Sequence, residues 1–376
     1  MRSYDRRNQH FDTLLSQDKL RWMGQNTNHV PAHPAVHEAM VKAIRDESYH
    51  AYGPPMGLEA LRAGILSDLG LPDAAVLVTD GAIEGLSHVC ATLLGPGDEF
   101  ITTDPTWNWP MQFARARGAT IRQIPIFGDE NGWRLSPEKL AAAITPATKV
   151  VYLVDPNNPL GSCATAEEIT AFTDIVRDAG AWLIHDCTYR DFAHDHHLAA
   201  KLLPERTVTI YSFSKWLGLA GLRLGAVVAS PDLIGELAVA PPNNLGSNIV
   251  SQRAALAGLA VKDEWFPGVL DLTRSNMTLV REAAEKAGLR VPVWPSNGNF
   301  LVLETDALGL KPENLVAAYQ AKGIQIRHGG YHTPKFGDRF IKVSLSVPRE
   351  WAEEFADLLP AMIEVAKNRP AGADTY

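Results

Sequence analysis

The chain of 376 residues holds only three cysteines, Cys90, Cys163 and Cys187. The number is odd and none is spaced as Cys-x-x-Cys, so neither a disulfide framework nor a zinc knuckle is suggested. No apolar run approaches the roughly 20 residues needed to cross a bilayer. The opening Met1-Arg2-Ser3-Tyr4-Asp5-Arg6-Arg7 lacks the apolar core of a signal peptide. Basic residues do not dominate either: 35 Lys and Arg stand against 43 Asp and Glu, a net charge of −8. That balance argues against broad binding to nucleic acid or to anionic membranes. Internal repeats and low-complexity blocks are absent. What remains is an expectation of a soluble, cytoplasmic, catalytic protein. Its 46% hydrophobic and 21% charged residues are ordinary for a globular chain, and its length suits two domains.

Short apolar runs alternate with helical patterns through the middle of the chain. Ala75–Thr79, Glu99–Thr103, Val150–Val154, Ala181–His185, Thr207–Ser212 and Leu224–Ala229 read as strands, with helices such as Ala166–Asp178 between them. This alternation predicts βαβ units and a mostly parallel, buried sheet. Ligands of such sheets sit outside the carboxyl ends of the strands, so the residues just after each strand are the ones to read for chemistry. Beyond Gln252 the texture changes. One long helix is expected over Trp265–Ala287, then strand Phe300–Glu304, helix Pro312–Lys322, strands Gln325–Arg327 and Phe340–Ser346, and helix Glu350–Lys367. The division expected is a large domain over 45–270, with 1–44 and 271–376 forming an N-terminal arm and a smaller α+β domain. A frayed tail is expected over Asn368–Tyr376.

The most informative segment is Tyr211-Ser212-Phe213-Ser214-Lys215-Trp216, followed by Arg223 and Gly225. A lysine directly after a strand, at the edge of a buried sheet, is partly desolvated. Its amine is then a nucleophile towards carbonyls. Ser212, Ser214 and Arg223 offer the donors that a phosphate takes. A solvated lysine in a polar turn is the plain alternative. Elsewhere, Thr79-Asp80-Gly81-Ala82-Ile83 places first-turn amides where a helix N-terminus favours an anion. Asp186 follows a buried strand, where a lone carboxylate is costly; an ordinary helix N-cap is the rival reading.

Taken in order, these segments resemble the aspartate-aminotransferase-like (class I/II, fold type I) family of pyridoxal-phosphate enzymes. The resemblance runs from about Trp22 to Leu359. Ser212-Phe213-Ser214-Lys215 with Arg223 is similar to the family's Schiff-base lysine segment and phosphate-binding arginine. Val154-Asp155-Pro156-Asn157-Asn158-Pro159-Leu160-Gly161 resembles its Asn-Pro-x-Gly turn, and Asp186-Cys187-Thr188-Tyr189 its paired aspartate and tyrosine. Pro105-Thr106-Trp107 resembles the place of the ring that stacks on the cofactor, although Trp109 is a rival. Tyr52-Gly53-Pro54-Pro55-Met56-Gly57-Leu58 resembles the segment that reaches into a neighbouring subunit.

The resemblance implies an α/β fold type I homodimer with pyridoxal 5'-phosphate, moving an amino group from an amino acid to a 2-oxo acid. Lys215, Asp186 and Tyr189 are then the catalytic residues. Asp186 would meet the pyridine nitrogen, Asn158 and Tyr189 the phenolate oxygen, and Trp107 the ring face. Ser212, Ser214, Arg223, the Gly81, Ala82 and Ile83 amides, and Tyr52 of a second copy would hold the phosphate. No metal is expected, and His194-Asp195-His196-His197 reads as a solvated polar loop. Cys187, lacking an evident base, reads as packing. Gly218 to Gly225 is not a Gly-x-Gly-x-x-Gly turn, so nicotinamide and flavin have little support.

One position departs from the family's pattern. Where an arginine usually grips the substrate carboxylate, this chain has Lys342, in Arg339-Phe340-Ile341-Lys342-Val343-Ser344. Strand alternation puts Lys342, Ser344 and Ser346 on one face and Ile341, Val343 and Leu345 on the other. Lysine cannot make the two-pronged grip of a guanidinium. Either Lys342 therefore holds a carboxylate less rigidly, aided by Arg327, or the substrate differs enough to need no fork, and a changed grip could redirect the reaction. A lyase, decarboxylase or cyclase is the alternative. Trp22–His29 is expected to contribute to a substrate lid.

Overall fold

A computed structural model describes residues 3–240 and 245–369; the end of the expected tail lies outside them. Two compact units are present. The larger comprises Val30–Leu270 with Pro295–Gly298, and the smaller comprises Met1–His29, Asp271–Trp294 and Asn299–Tyr376. The larger unit begins at Val30 rather than at residue 45 because helix α1 (Pro34–Arg45) sends Val36 into its core.

Seven strands form the large unit's sheet: β1 (Ala75–Thr79), β2 (Glu99–Asp104), β3 (Thr120–Pro125), β4 (Thr148–Val154), β5 (Trp182–Asp186), β6 (Thr207–Ser212) and β7 (Gly225–Ala229). Their order is β1-β7-β6-β5-β4-β2-β3, and only β7 runs antiparallel to its neighbours. Strands β2, β6 and β7 are buried along their whole length, which is why they read as continuous apolar or hydroxyl-bearing runs. Edge strand β3 was not foreseen, because exposed Thr120 and half-exposed Arg122 break its apolar pattern. Strand β5 starts and ends one residue later than expected, so Asp186 closes the strand instead of following it.

The sheet separates two cores. Tyr152, Val154, Ile184 and Ile210 contribute to one; Cys187, Tyr211, Phe213 and Trp216 belong to the other. Each fully buried Ile or Val is worth about 1.5–3 kcal/mol. Helix α2 (Ala82–Leu93) starts directly after β1. Helix α3 (Ala166–Asp178) has a reciprocal cap: the Glu168 amide donates to Thr165 Oγ1 at 3.2 Å, and the Thr165 amide to Glu168 Oε2 at 2.9 Å. Such caps contribute about 1 kcal/mol. The division between the units falls within helix α4 (Lys262–Lys286), which begins three residues before the expected Trp265.

The small unit has an antiparallel sheet of β8 (Phe300–Glu304), β9 (Arg327–His328) and β10 (Phe340–Ser344), in the order β9-β10-β8. The single strand expected over Gln325–Arg327 is two pieces. Ile324–Gln325 pairs with Arg21–Trp22, whereas Arg327–His328 pairs with β10. Ile341, Val343 and Leu345 lie in the small unit's core, so the strand alternates as anticipated. The 22–29 segment is bonded to β10 and the residues after it. Ser344 donates its amide to Met23 O at 2.6 Å, and His29 donates to Ser346 O at 2.8 Å. Among the described residues no helix is long and apolar enough to cross a membrane.

Candidate active site

Strand order brings the sequence-predicted residues to one edge of the large sheet. Gly225, opening antiparallel β7, pairs with Thr79 at the end of β1 and with Ser212 at the end of β6. The start of α2, the Ser212–Lys215 turn and Arg223 therefore meet around it. A Cβ at Gly225 would lie 2.4 Å from the Ala82 amide nitrogen, so glycine is required for this approach. Gly81 has φ +83°, and a Cβ there would lie 2.4 Å from an Arg223 guanidinium nitrogen. The Gly81 amide donates to Thr79 O at 2.8 Å. The Ala82 and Ile83 amides lie in the first helical turn, ahead of the regular i to i−4 bonding.

Ser212 and Ser214 are buried, and the Ser214 amide donates to Ser212 Oγ at 3.3 Å. Arg223 has φ +50°, rare for a residue with a side chain. Its Nη1 donates to Ala220 O at 2.7 Å, which holds the guanidinium back over its own turn. Burial, together with the nearby Arg223 charge, lowers the Lys215 amine to about 8, against an opposing pull from the Asp186 carboxylate.

Asp186 is 3% exposed. Its Oδ2 accepts from the Tyr152 hydroxyl at 2.8 Å, and its Oδ1 from the Thr188 hydroxyl at 2.6 Å and the Thr188 amide at 3.1 Å. Burial raises the carboxyl pKa while these donors oppose the rise. Neither Tyr152 nor Thr188 was singled out by sequence. Tyr152 sits mid-strand, and only the register Val154↔Asp186 shows that it shares the aspartate's face.

Asn158 and Tyr189 are both buried near the ends of β4 and β5. Trp107 is half-buried and packs on the Tyr152 core, whereas Trp109 opens the following helix and lies 6.3 Å from the Phe113 ring. Tyr52 is 84% exposed and so is not gathered with the others in a single chain. Lys342 belongs to the small unit. It is buried, with its amine 5.2 Å from the Phe300 ring centroid, and it pairs across β9 and β10 with buried Arg327.

The family profile described as aminotransferase class I and II matches residues 18–359. The chain belongs to this family. The aminotransferase is 29% identical to histidinol-phosphate aminotransferase of Methanosarcina mazei, over 89% of this chain and 86% of that one. It is 30% identical to the aspartate aminotransferase of Streptomyces avermitilis, over 68% and 66% of the two chains. Among solved structures, N-succinyldiaminopimelate aminotransferase from Mycobacterium tuberculosis superposes with a TM-score of 0.85 at 23% identity, covering 94% of this chain and 96% of that one. Aspartate aminotransferase from Thermus thermophilus gives 0.83 at 20% identity, covering 95% of each. The enzyme is thus a pyridoxal-phosphate-dependent aminotransferase of fold type I, moving an amino group from an amino acid to a 2-oxo acid. The lyase alternative has no support from these relatives. The residues present fit the cofactor. They supply a desolvated amine at Lys215, a buried carboxylate at Asp186 and a glycine-lined cradle beside Arg223.

The opposite face of the β5 end differs from expectation. His196 does not lie in a solvated loop: its side chain is 8% exposed and its ring stacks on fully buried His185, with centroids 5.3 Å apart. Asp155 Oδ2 is 3.5 Å from Nε2 of each histidine. Burial opposes ionisation of Asp155, yet these imidazoles hold its pKa below the usual carboxylate value. Cys187 does have bases beside it. Burial pushes its thiol up, but His185 and His196 bring it down to about 7. Of this group only His196 carried a sequence signal, in the His194–His197 run read as a solvated loop; Asp155 and His185 meet only when β4 pairs with β5.

Proposed function

We propose that Lys215 anchors the cofactor's aldehyde and, once released, carries the proton taken from the substrate's α-carbon. The observation that carries this reading is the strand pairing that gathers the Ser212–Lys215 turn, Arg223 and the start of α2 at one sheet edge, with the Lys215 amine lowered to about 8 there. The cofactor, when bound, supplies an electron sink that makes that carbon acidic. Asp186 keeps a proton on the pyridine nitrogen, helped by Tyr152 and Thr188, which hold its carboxylate in place. Asn158 and Tyr189 hydrogen-bond the phenolate oxygen, and Trp107 covers the ring face. Ser212, Ser214, Arg223 and the Ala82 and Ile83 amides take the phosphate. Tyr52, fully reachable from outside, completes that phosphate site in a second copy, so the working unit is a homodimer. The three cysteines are free thiols, which agrees with a cytoplasmic enzyme.

Lys342 is the substrate-carboxylate contact in this reading, with Asn158 the other substrate contact. Lys342 and Arg327, both buried and directly opposed on neighbouring strands, gather positive charge that suits an anionic group. That favours a donor with an acidic end, either a carboxylate or the phosphate that a histidinol-phosphate aminotransferase's substrate carries. The test is absorbance of the cofactor-loaded enzyme during titration with aspartate, other amino acids and histidinol phosphate, with no 2-oxo acid present. One donor should bleach the protein-bound cofactor stoichiometrically, and 2-oxoglutarate should restore the band. Release of ammonia or carbon dioxide, with no restoration by any 2-oxo acid, contradicts amino transfer.

A further inference from the structure

The back face of β5 gathers a donor set that the cofactor chemistry does not use. One donor atom each from His185, Cys187 and His196 lies within 4.8 Å of the others, and Asp155 Oδ2 is 3.5 Å from Nε2 of both histidines. Tetrahedral zinc, with bonds of about 2.0–2.3 Å, separates neighbouring ligand atoms by about 3.3–3.7 Å. Two of the edges already have that length, and no gap among His185, Cys187 and His196 is more than about 1 Å too wide. His196 can supply that movement from its loop between exposed His194 and half-buried His197.

From this geometry we infer that Asp155, His185, Cys187 and His196 form a divalent metal site of the zinc class, separate from the cofactor face. Two imidazoles, a thiolate and a carboxylate suit zinc rather than magnesium or calcium, which take oxygen donors. Four protein ligands leave no open position, so the metal is structural. A supporting layer is present: the Ala164 amide donates to Asp155 Oδ1 at 2.8 Å and fixes the carboxylate. Metal at His185 Nε2 puts the ring proton on Nδ1, so the long contact from the Ala199 amide (3.4 Å) opens. Access exists as well, because His196 lines a cavity of about 390 Å³ together with His197, Arg190 and Thr170. A metal here ties the end of β4, which leads to Asn158, to the end of β5, which carries Asp186.

The cofactor-loaded enzyme is incubated with zinc, separated from free metal by gel filtration and assayed for zinc by mass spectrometry. One zinc per chain is expected. Both His196→Ala and Cys187→Ser should weaken retention at least tenfold, whereas His197→Ala should retain it. Cobalt in place of zinc should give the red-visible bands of a tetrahedral site, a region where the cofactor does not absorb. Zinc should raise the melting temperature of the parent and of His197→Ala but not of His196→Ala. Circular dichroism checks that Cys187→Ser and His196→Ala are folded. Substoichiometric zinc in the parent, or equal retention in all three variants, overturns the proposal.

Discussion

The end of β5 presents two faces built from adjacent residues, and they differ in how their charges are balanced. Asp186 faces neutral donors, Tyr152 and Thr188, which place a carboxylate in a buried setting without neutralising it. One residue away on either side, His185 and Cys187 turn to the opposite face and meet Asp155 and His196. There every ionisable group has an ionisable neighbour. The first face thus holds its carboxylate by neutral donors, leaving it to pair with a protonated ring. The second satisfies itself internally or through a metal. Period-2 alternation lets a single strand serve both.

The sharpest way to break this contrast is Lys215→Ala, which acts on the first face alone. Turnover should fall at least about 10⁴-fold, while zinc retention stays at the parent level. Asp186→Asn keeps the shape but removes the charge, so kcat should fall about 10²–10³-fold with the back-face cluster undisturbed. A loss under tenfold would mean that the Asp186 carboxylate is not the group paired with the cofactor. The lowered Lys215 amine gives a pH dependence of known sign. The reactive neutral amine predominates above about 8, so the rate of aldehyde capture by cofactor-free enzyme should drop about tenfold per pH unit below that value and level off above it.

A gentler test lies beneath the site. Lys262 bridges Asp68 Oδ1 at 2.7 Å and Asp191 Oδ1 at 2.6 Å, while Tyr211, one residue before Ser212, donates to Asp68 Oδ2 at 2.7 Å. Lys262→Ala leaves these two poorly solvated carboxylates to Arg190, which also pairs with both. It should cost about 2–3 kcal/mol of stability, read from denaturant midpoints, with turnover per folded chain retained.

The first face was legible in sequence for a physical reason. Each of its parts is a contiguous segment, Ser212 to Arg223, Asp186 to Tyr189 or Asp80 to Ile83, whose chemistry can be read before its neighbours are known. The strands carrying them were legible too, because burial on both faces forces continuous apolar runs. What escaped was whatever depends on pairing. Tyr152 reads as a core aromatic until register sets it opposite Ile184 and near Asp186. His196 reads as part of a polar loop until the loop folds its ring onto His185. Edge strand β3 escaped because its outer face is wet.

The account rests on Lys215 as the cofactor's anchor. The most direct measurement is to load the enzyme with pyridoxal phosphate, reduce it with borohydride and locate the pyridoxyl group by peptide mass spectrometry. Labelling at Lys215 alone, one group per chain, is the predicted result. A label on Lys342, Lys262 or any other lysine, with Lys215 unmodified, contradicts it.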